Sequence, residues 1–312
     1  MRPVRHLPAA ATLVAFVAVL AATGMGADGA QSVTRTFYVT VTDKDHNPVL
    51  DMKASELEVK EGGKIRAIST KIADVYLRVA VLVADGGTGA FQTAALRFLE
   101  PLVGRGEFSI ISIIAQPEVA LDYTFMPRQI EAGLEKIGRR GMGTTAAQLV
   151  ETIWDATRTI NREGHRPVIL VLRSSGQSPT PVRAEQVRDA LRKSGAILYT
   201  VSTTAPQGVQ RPTQMAGSTA SSATQAASDD EQSEGFFTLG TVLDEGAKDT
   251  GGRHEQIVAT TLVPTVQAIA RELLNQYEIS YTLPAGTKPN DRVQVTSKRK
   301  GVVLRAPTRI AN

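Results

Sequence analysis

The sequence predicts an α/β fold: a doubly wound, mainly parallel sheet with helices on both faces, accompanied by a small β unit built from the N- and C-terminal segments. Three observations carry this. Short apolar runs rich in β-branched residues (Val79–Ala84, Phe108–Ala115, Pro167–Leu172, Ala196–Val201) alternate with segments of helical periodicity from Val75 onward. The stretches at the two ends instead alternate apolar and polar side chains, the pattern of strands with one buried face. Finally, 312 residues with 42% hydrophobic content suffice for one large core and a smaller second one.

In chain order, Arg2 and Arg5 precede an apolar run from Leu7 to Ala22 and then small residues, the layout of a secretory signal peptide over residues 1–30 cleaved between Ala22 and Ala30. The run is short for a membrane span, so an exported mature protein without a span, periplasmic or extracellular, is the expectation. A retained anchor is the alternative. The chain has no cysteine, which excludes disulfides, thiolate metal sites and cysteine nucleophiles. A net charge of +4 with no interleaved aromatic pattern gives no support for nucleic-acid binding.

Residues 31–74 read as the N-terminal β unit: a strand Thr34–Val41, turn chemistry at Asp43–Pro48, then a hairpin of Leu57–Val59 and Ile65–Ile72 about Gly62 and Gly63. Residues 75–276 form the α/β domain. Its strand Val79–Ala84 ends at Asp85, and Phe91–Val103 follows as a helix. Val119–Phe125 is more polar and reads as an edge strand turning back on Phe108–Ala115. Pro127 opens a helix to Ile137, since proline lacks the amide a first turn leaves unbonded. The glycine-rich loop Gly138–Thr145 leads to the helix Ala146–Ile160, where Trp154 joins the apolar stripe of Leu149, Val150 and Ile153. A helix Val182–Ser194 separates the next two strands. Residues 205–235 have few large apolar groups and are predicted to be a disordered insertion. Phe236–Ala247 resumes as helix, Glu255–Val258 as a short strand and Leu262–Gln276 as helix; residues 277–312 supply strands that pack with the N-terminal unit.

Several stretches, in this order, resemble bacterial secreted proteins with a von Willebrand factor A-like domain, specifically the acidobacterial VWFA-related group: VTVTDKDHNPVLDMKASELEVKEGGK, VAVLVADGG, GMGTT, VILVLRSSG, AKDTGGR and ELLNQYEISY. The resemblance implies a vWA/Rossmann-like sheet with a metal ion-dependent adhesion site at its carboxyl edge, where a hard divalent cation takes about six oxygen ligands. Laid on this chain, Asp85 matches the first aspartate of the Asp-x-Ser-x-Ser pattern, but Gly87 and Gly89 stand at the serine positions. Thr144 or Thr145 matches the threonine, and Ser175 stands where the second aspartate belongs. Such a set is degenerate: Asp85, Thr144, Thr145 and Ser175 would hold Mg²⁺ or Ca²⁺ weakly at best, so no cofactor is expected. The leading expectation is a metal-independent, adhesion-type module that binds an unidentified protein partner. Weak cation-dependent adhesion is the alternative at the same site. Arg139, Arg140 and Arg173 fall near the same edge and could accept a partner's carboxylate through bidentate bonds; the plainer reading is solvated loop cations.

Competing chemistry is thinly supported. A dinucleotide fingerprint starting at Gly87 would need glycine where Gln92 stands. Ser174, Ser175 and Ser178 lack the Gly-x-Ser-x-Gly elbow. His46, His165 and His254 show no triad or metal spacing and read as surface residues. No enzyme is therefore expected, a secreted hydrolase with an unrecognised site remaining the alternative from another class.

Overall fold

The computed structural model describes residues 32–84, 89–114, 116–137, 148–174, 180–204 and 237–311. Its centre is a six-stranded sheet in the order β10-β9-β8-β5-β6-β7, made of β5 (Tyr76–Ala84), β6 (Gly106–Ile113), β7 (Pro117–Thr124), β8 (His165–Ser174), β9 (Ile197–Thr204) and β10 (Arg253–Val258). Every pairing is parallel except β6 with β7, where the chain doubles back at the edge. The sheet is mainly parallel, as the βα alternation requires.

Strand β5 shows why its sequence is apolar throughout. Leu77, Val79, Val81 and Val83 enter one core, against α1 (Ala90–Leu99), α2 (Pro127–Leu134) and α6 (Leu262–Leu274). Ala80, Leu82 and Ala84 enter the other, against α3 (Leu149–Thr159), α4 (Ala184–Ser194) and α5 (residues 237–249). A strand covered on both faces has no side on which a polar residue is stable. Trp154 packs against this core at its margin: Leu149, Val150 and Ile153 are fully buried, and the indole is partly buried beside them, with the Arg158 guanidinium 4.1 Å above it.

The second body is a two-layer β unit. One sheet has the order β13-β1-β11-β4, from β1 (Val33–Thr42), β4 (Ser69–Ile72), β11 (Tyr277–Leu283) and β13 (Val303–Arg305); the other joins β2 (Leu57–Glu61), β3 (Lys64–Arg66) and β12 (Val293–Ser297). Phe37, Val39, Val41, Leu57, Val59, Ile279 and Tyr281 pack between the layers. The expected hairpin is divided. Only Lys64–Arg66 pairs with β2; Ser69–Ile72 leaves for β11 in the facing sheet, with Ile68 at the crossing packed on the core. The tail Pro307–Ile310 continues the β12 layer through bonds such as Val293 N–H to Thr308 O, 3.0 Å.

The two bodies meet at the amino edge of the large sheet, through buried polar groups. Arg166 at the start of β8 donates to Gln276 Oε1 (2.9 Å) and Leu273 O (2.7 Å), while Gln276 Nε2 donates to Thr40 Oγ1 (2.9 Å) and Tyr199 Oη (3.3 Å). Burial pushes the Tyr199 hydroxyl up to about 12, so it stays protonated. Glu272 of α6, with no exposed side-chain surface, lies 3.2 Å from Arg253 of β10 and 2.6 Å from Arg305 of β13. Neither contact is aligned as a hydrogen bond, so this carboxylate is held by charge rather than direction. The AKDTGGR segment is part of the same joint. Thr250 Oγ1 accepts from Leu198 N–H at 3.0 Å, and Gly252 lies so close to Leu198 that a Cβ there would come within 2.0 Å of its carbonyl oxygen.

Candidate functional site

The carboxyl edge of the sheet is the expected binding edge, because strand ends and helix N-termini converge there. Of the residues singled out from the sequence, Asp85, Thr144, Thr145, Ser175, Arg139 and Arg140 lie outside the described residues, as does the 205–235 insertion. Arg173 and Gly89 are described.

Arg173 is not a solvated loop cation. It is the ninth residue of the ten-residue β8, paired in register with Ala84 of β5 and Ser202 of β9, and it is only 6% exposed. Strand alternation puts it on the face of Ile169 and Val171, beneath the α3, α4 and α5 layer. Burial draws its pKa down, yet guanidinium keeps its proton in proteins. A positive charge therefore sits next to Ala84, the residue that immediately precedes Asp85. Ser202 Oγ, across the strand pair, is buried without a hydrogen-bond partner among the described residues.

His254 belongs to the same face, and it is half-buried instead of superficial. Its Nδ1 lies 2.5 Å from Thr200 Oγ1, which also bonds Leu243 O at 3.2 Å. The hydroxyl has one proton; given to the carbonyl, it leaves the imidazole Nδ1–H to donate. Burial lowers the His254 pKa; Asp244 opposes the shift and the Arg173 charge reinforces it. His46 is exposed, and His165 Nε2 is 3.9 Å from Glu107, far from this edge.

Two helices that start at the carboxyl edge are entered through left-handed residues. Gly89, the N-cap of α1, has φ 70°, and Gln148, the N-cap of α3, has φ 68°. Glycine adopts this conformation without cost, whereas an L-residue with a Cβ is strained by about 1–2 kcal/mol. Gly89 stands at a serine position of the adhesion-site pattern, so a serine oxygen there would require a different backbone. Gln148 carries such strain at the entry to α3, a placement typical of functional edges.

A divalent-cation site needs several oxygens and net negative charge; of the residues described at this edge, Gly89 brings no side-chain oxygen and β8 brings the buried guanidinium of Arg173. Among the described residues, no cluster of three or more histidine, aspartate or glutamate side chains is arranged to hold a metal.

No protein-family model matches the chain, and no curated protein does. Solved structures do. BatB from Bacteroides thetaiotaomicron, a conserved hypothetical protein, shares 15% identity over 63% of this chain and 98% of its own, with TM-score 0.41. Neighbours include von Willebrand factor A proteins. One, described as von Willebrand factor type A from Catenulispora acidiphila, shares 11% identity over 92% of this chain and 75% of its own, TM-score 0.41. Proximal thread matrix protein 1 from the mussel byssus, solved with a zinc-occupied MIDAS motif, shares 11% identity over 73% of this chain, TM-score 0.42; this chain spans 50% of that protein. At these scores the overlays carry no argument about function, which rests on this chain's own geometry.

Proposed function

We propose that this protein is an exported, metal-independent protein-interaction module of the adhesion type, without catalytic activity, whose carboxyl sheet edge meets an acidic surface on its partner. The buried guanidinium of Arg173 is the observation that carries the reading. It puts a guanidinium beside the strand end where an adhesion site of the metal-dependent kind would gather carboxylates. Arg139 and Arg140, between α2 and α3 in the sequence, would add to its charge and take partner carboxylates by bidentate bonds. Export rests on the basic, apolar and small-residue order of the first 30 residues.

The test is capture from an envelope extract on immobilised mature protein, in buffer with EDTA and in buffer with Mg²⁺. Equal capture in both buffers is expected, with loss in the Arg139→Glu/Arg140→Glu variant. Capture only with Mg²⁺ would overturn the metal-independent reading, and turnover of generic ester or peptide substrates would overturn the non-catalytic one.

A further inference from the structure

A large cavity among the described residues lies at the other end of the sheet. It encloses about 620 Å³ where the β unit meets the amino edge, and its wall includes all six residues Val33–Tyr38 in succession. A strand that presents a face contributes alternate residues; one that presents its edge contributes every residue. The pairing explains which edge this is. β11 takes one edge of β1 from Val33 to Val39, and β13 takes the opposite edge only from Thr40 to Thr42. Along Val33–Val39 that second edge has no strand beside it among the described residues. In antiparallel pairing about half of the residues turn their N–H and C=O groups away from the partner, here into the cavity.

The geometry points to a peptide-binding cleft: an extended, acidic segment of a partner protein adds as a strand to the open edge of β1. The cavity volume is within the range of ligand sites, and six residues of strand span about 20 Å. Leu191, Ile197, Pro289 and Pro307 provide apolar walls for alternate side chains. At the rim, Arg162 is 57% and Arg309 42% exposed. Each shares its carboxylate with another arginine: Glu107 is also held by Arg78, and Asp291, 3.6 Å from Arg309, lies 2.7 Å from Arg192. Their guanidinium groups therefore retain capacity for carboxylates on the incoming chain. The α4 terminus and the C-terminal tail wall the cleft on the side facing the β1 edge, leaving a slot suited to a single extended chain. Backbone bonds would supply affinity, while the apolar pockets and the basic rim supply selectivity. This surface lies on the edge opposite Arg173 and does not depend on the function proposed above.

The probe is the acetylated and amidated peptide Asp-Val-Thr-Val-Thr-Asp, alongside its version with lysine ends and its version N-methylated at alternate amides. Anisotropy is measured for each, and hydrogen exchange is followed along the chain. Saturable binding of the acidic peptide is expected, with slowed exchange in Val33–Val39. N-methylation should weaken it by at least about tenfold through lost backbone donors. Arg162→Gln/Arg309→Gln should weaken it by about fivefold or more, with the fold retained by circular dichroism. No saturable binding at millimolar peptide, equal affinity after N-methylation, equal affinity of the lysine-ended peptide, or protection at the Ala84 and Arg173 edge instead would overturn the proposal.

Discussion

The two edges of the six-stranded sheet are built on different principles. At the amino edge buried charges are numerous and each has a defined counterpart: Glu107 with Arg78 and Arg162, Glu272 with Arg253 and Arg305, and Arg166 bonded to Gln276 and Leu273. Burial pushes the Glu107 carboxyl up, but the Arg78 and Arg162 guanidinium groups outweigh it and hold the pKa below its ordinary value. At the carboxyl edge the buried Arg173 stands beside a buried serine hydroxyl and two left-handed helix entries, with Glu151 in the first turn of α3. The amino edge is a joint between two bodies, with its buried polar groups committed to structure. The carboxyl edge carries backbone strain and buried polarity beside the strand ends, which is where binding chemistry accumulates.

Substitutions can break this contrast, and the largest effect is expected at the joint. Glu272→Gln leaves the largely buried Arg305 without its counter-charge and Arg253 with Glu255 alone, and should cost about 3–5 kcal/mol in denaturant unfolding. Arg173→Met, measured in parallel, should cost clearly less; equal losses would make Arg173 a structural cation and erase the difference between the edges. Arg166→Met removes two bonds donated by a buried charged group and should cost about 2–3 kcal/mol. A smaller effect of opposite sign is expected at the carboxyl edge: Gln148→Gly relieves a left-handed glutamine and should stabilise by about 1 kcal/mol, sharpening the view that strain is kept there.

The smallest effect is a pH dependence. The folded pKa of His254 lies below its ordinary value of 6.5, so the unfolded chain binds the extra proton first. The stability this residue contributes is complete above about pH 6.5 and is lost as pH falls through the depressed folded pKa. Melting temperatures of His254→Asn should decline less than those of the wild type below that pH; identical declines would show that another group carries the dependence.

Much of the fold could be read from residue patterns because burial writes itself directly into them. The unbroken apolar run of β5 follows from cover on both faces, and the mixed polarity of Val119–Phe125 from an edge position. The split of the hairpin could not be read, since alternation is the same whether Ser69–Ile72 pairs with β3's neighbour or crosses to β11. Arg173 was legible as basic and near the edge, but its burial depends on β8 running two residues past Leu172, and strand ends are poorly marked by composition. The half-burial of His254 depends on α5 lying over β9, through Thr200 and Leu243, a contact made by residues 43 positions apart. The cleft beside β1 has no signature in sequence at all, because an open edge is defined by the strand that is missing from it.

Calorimetric titration of Mg²⁺, Mn²⁺ and Ca²⁺ into the mature protein, with Asp85→Ala alongside, tests the carboxyl-edge account most directly. No saturable heat and no thermal stabilisation in either protein is the expected result. Saturable binding lost in Asp85→Ala would contradict it, and would return this edge to cation-dependent adhesion.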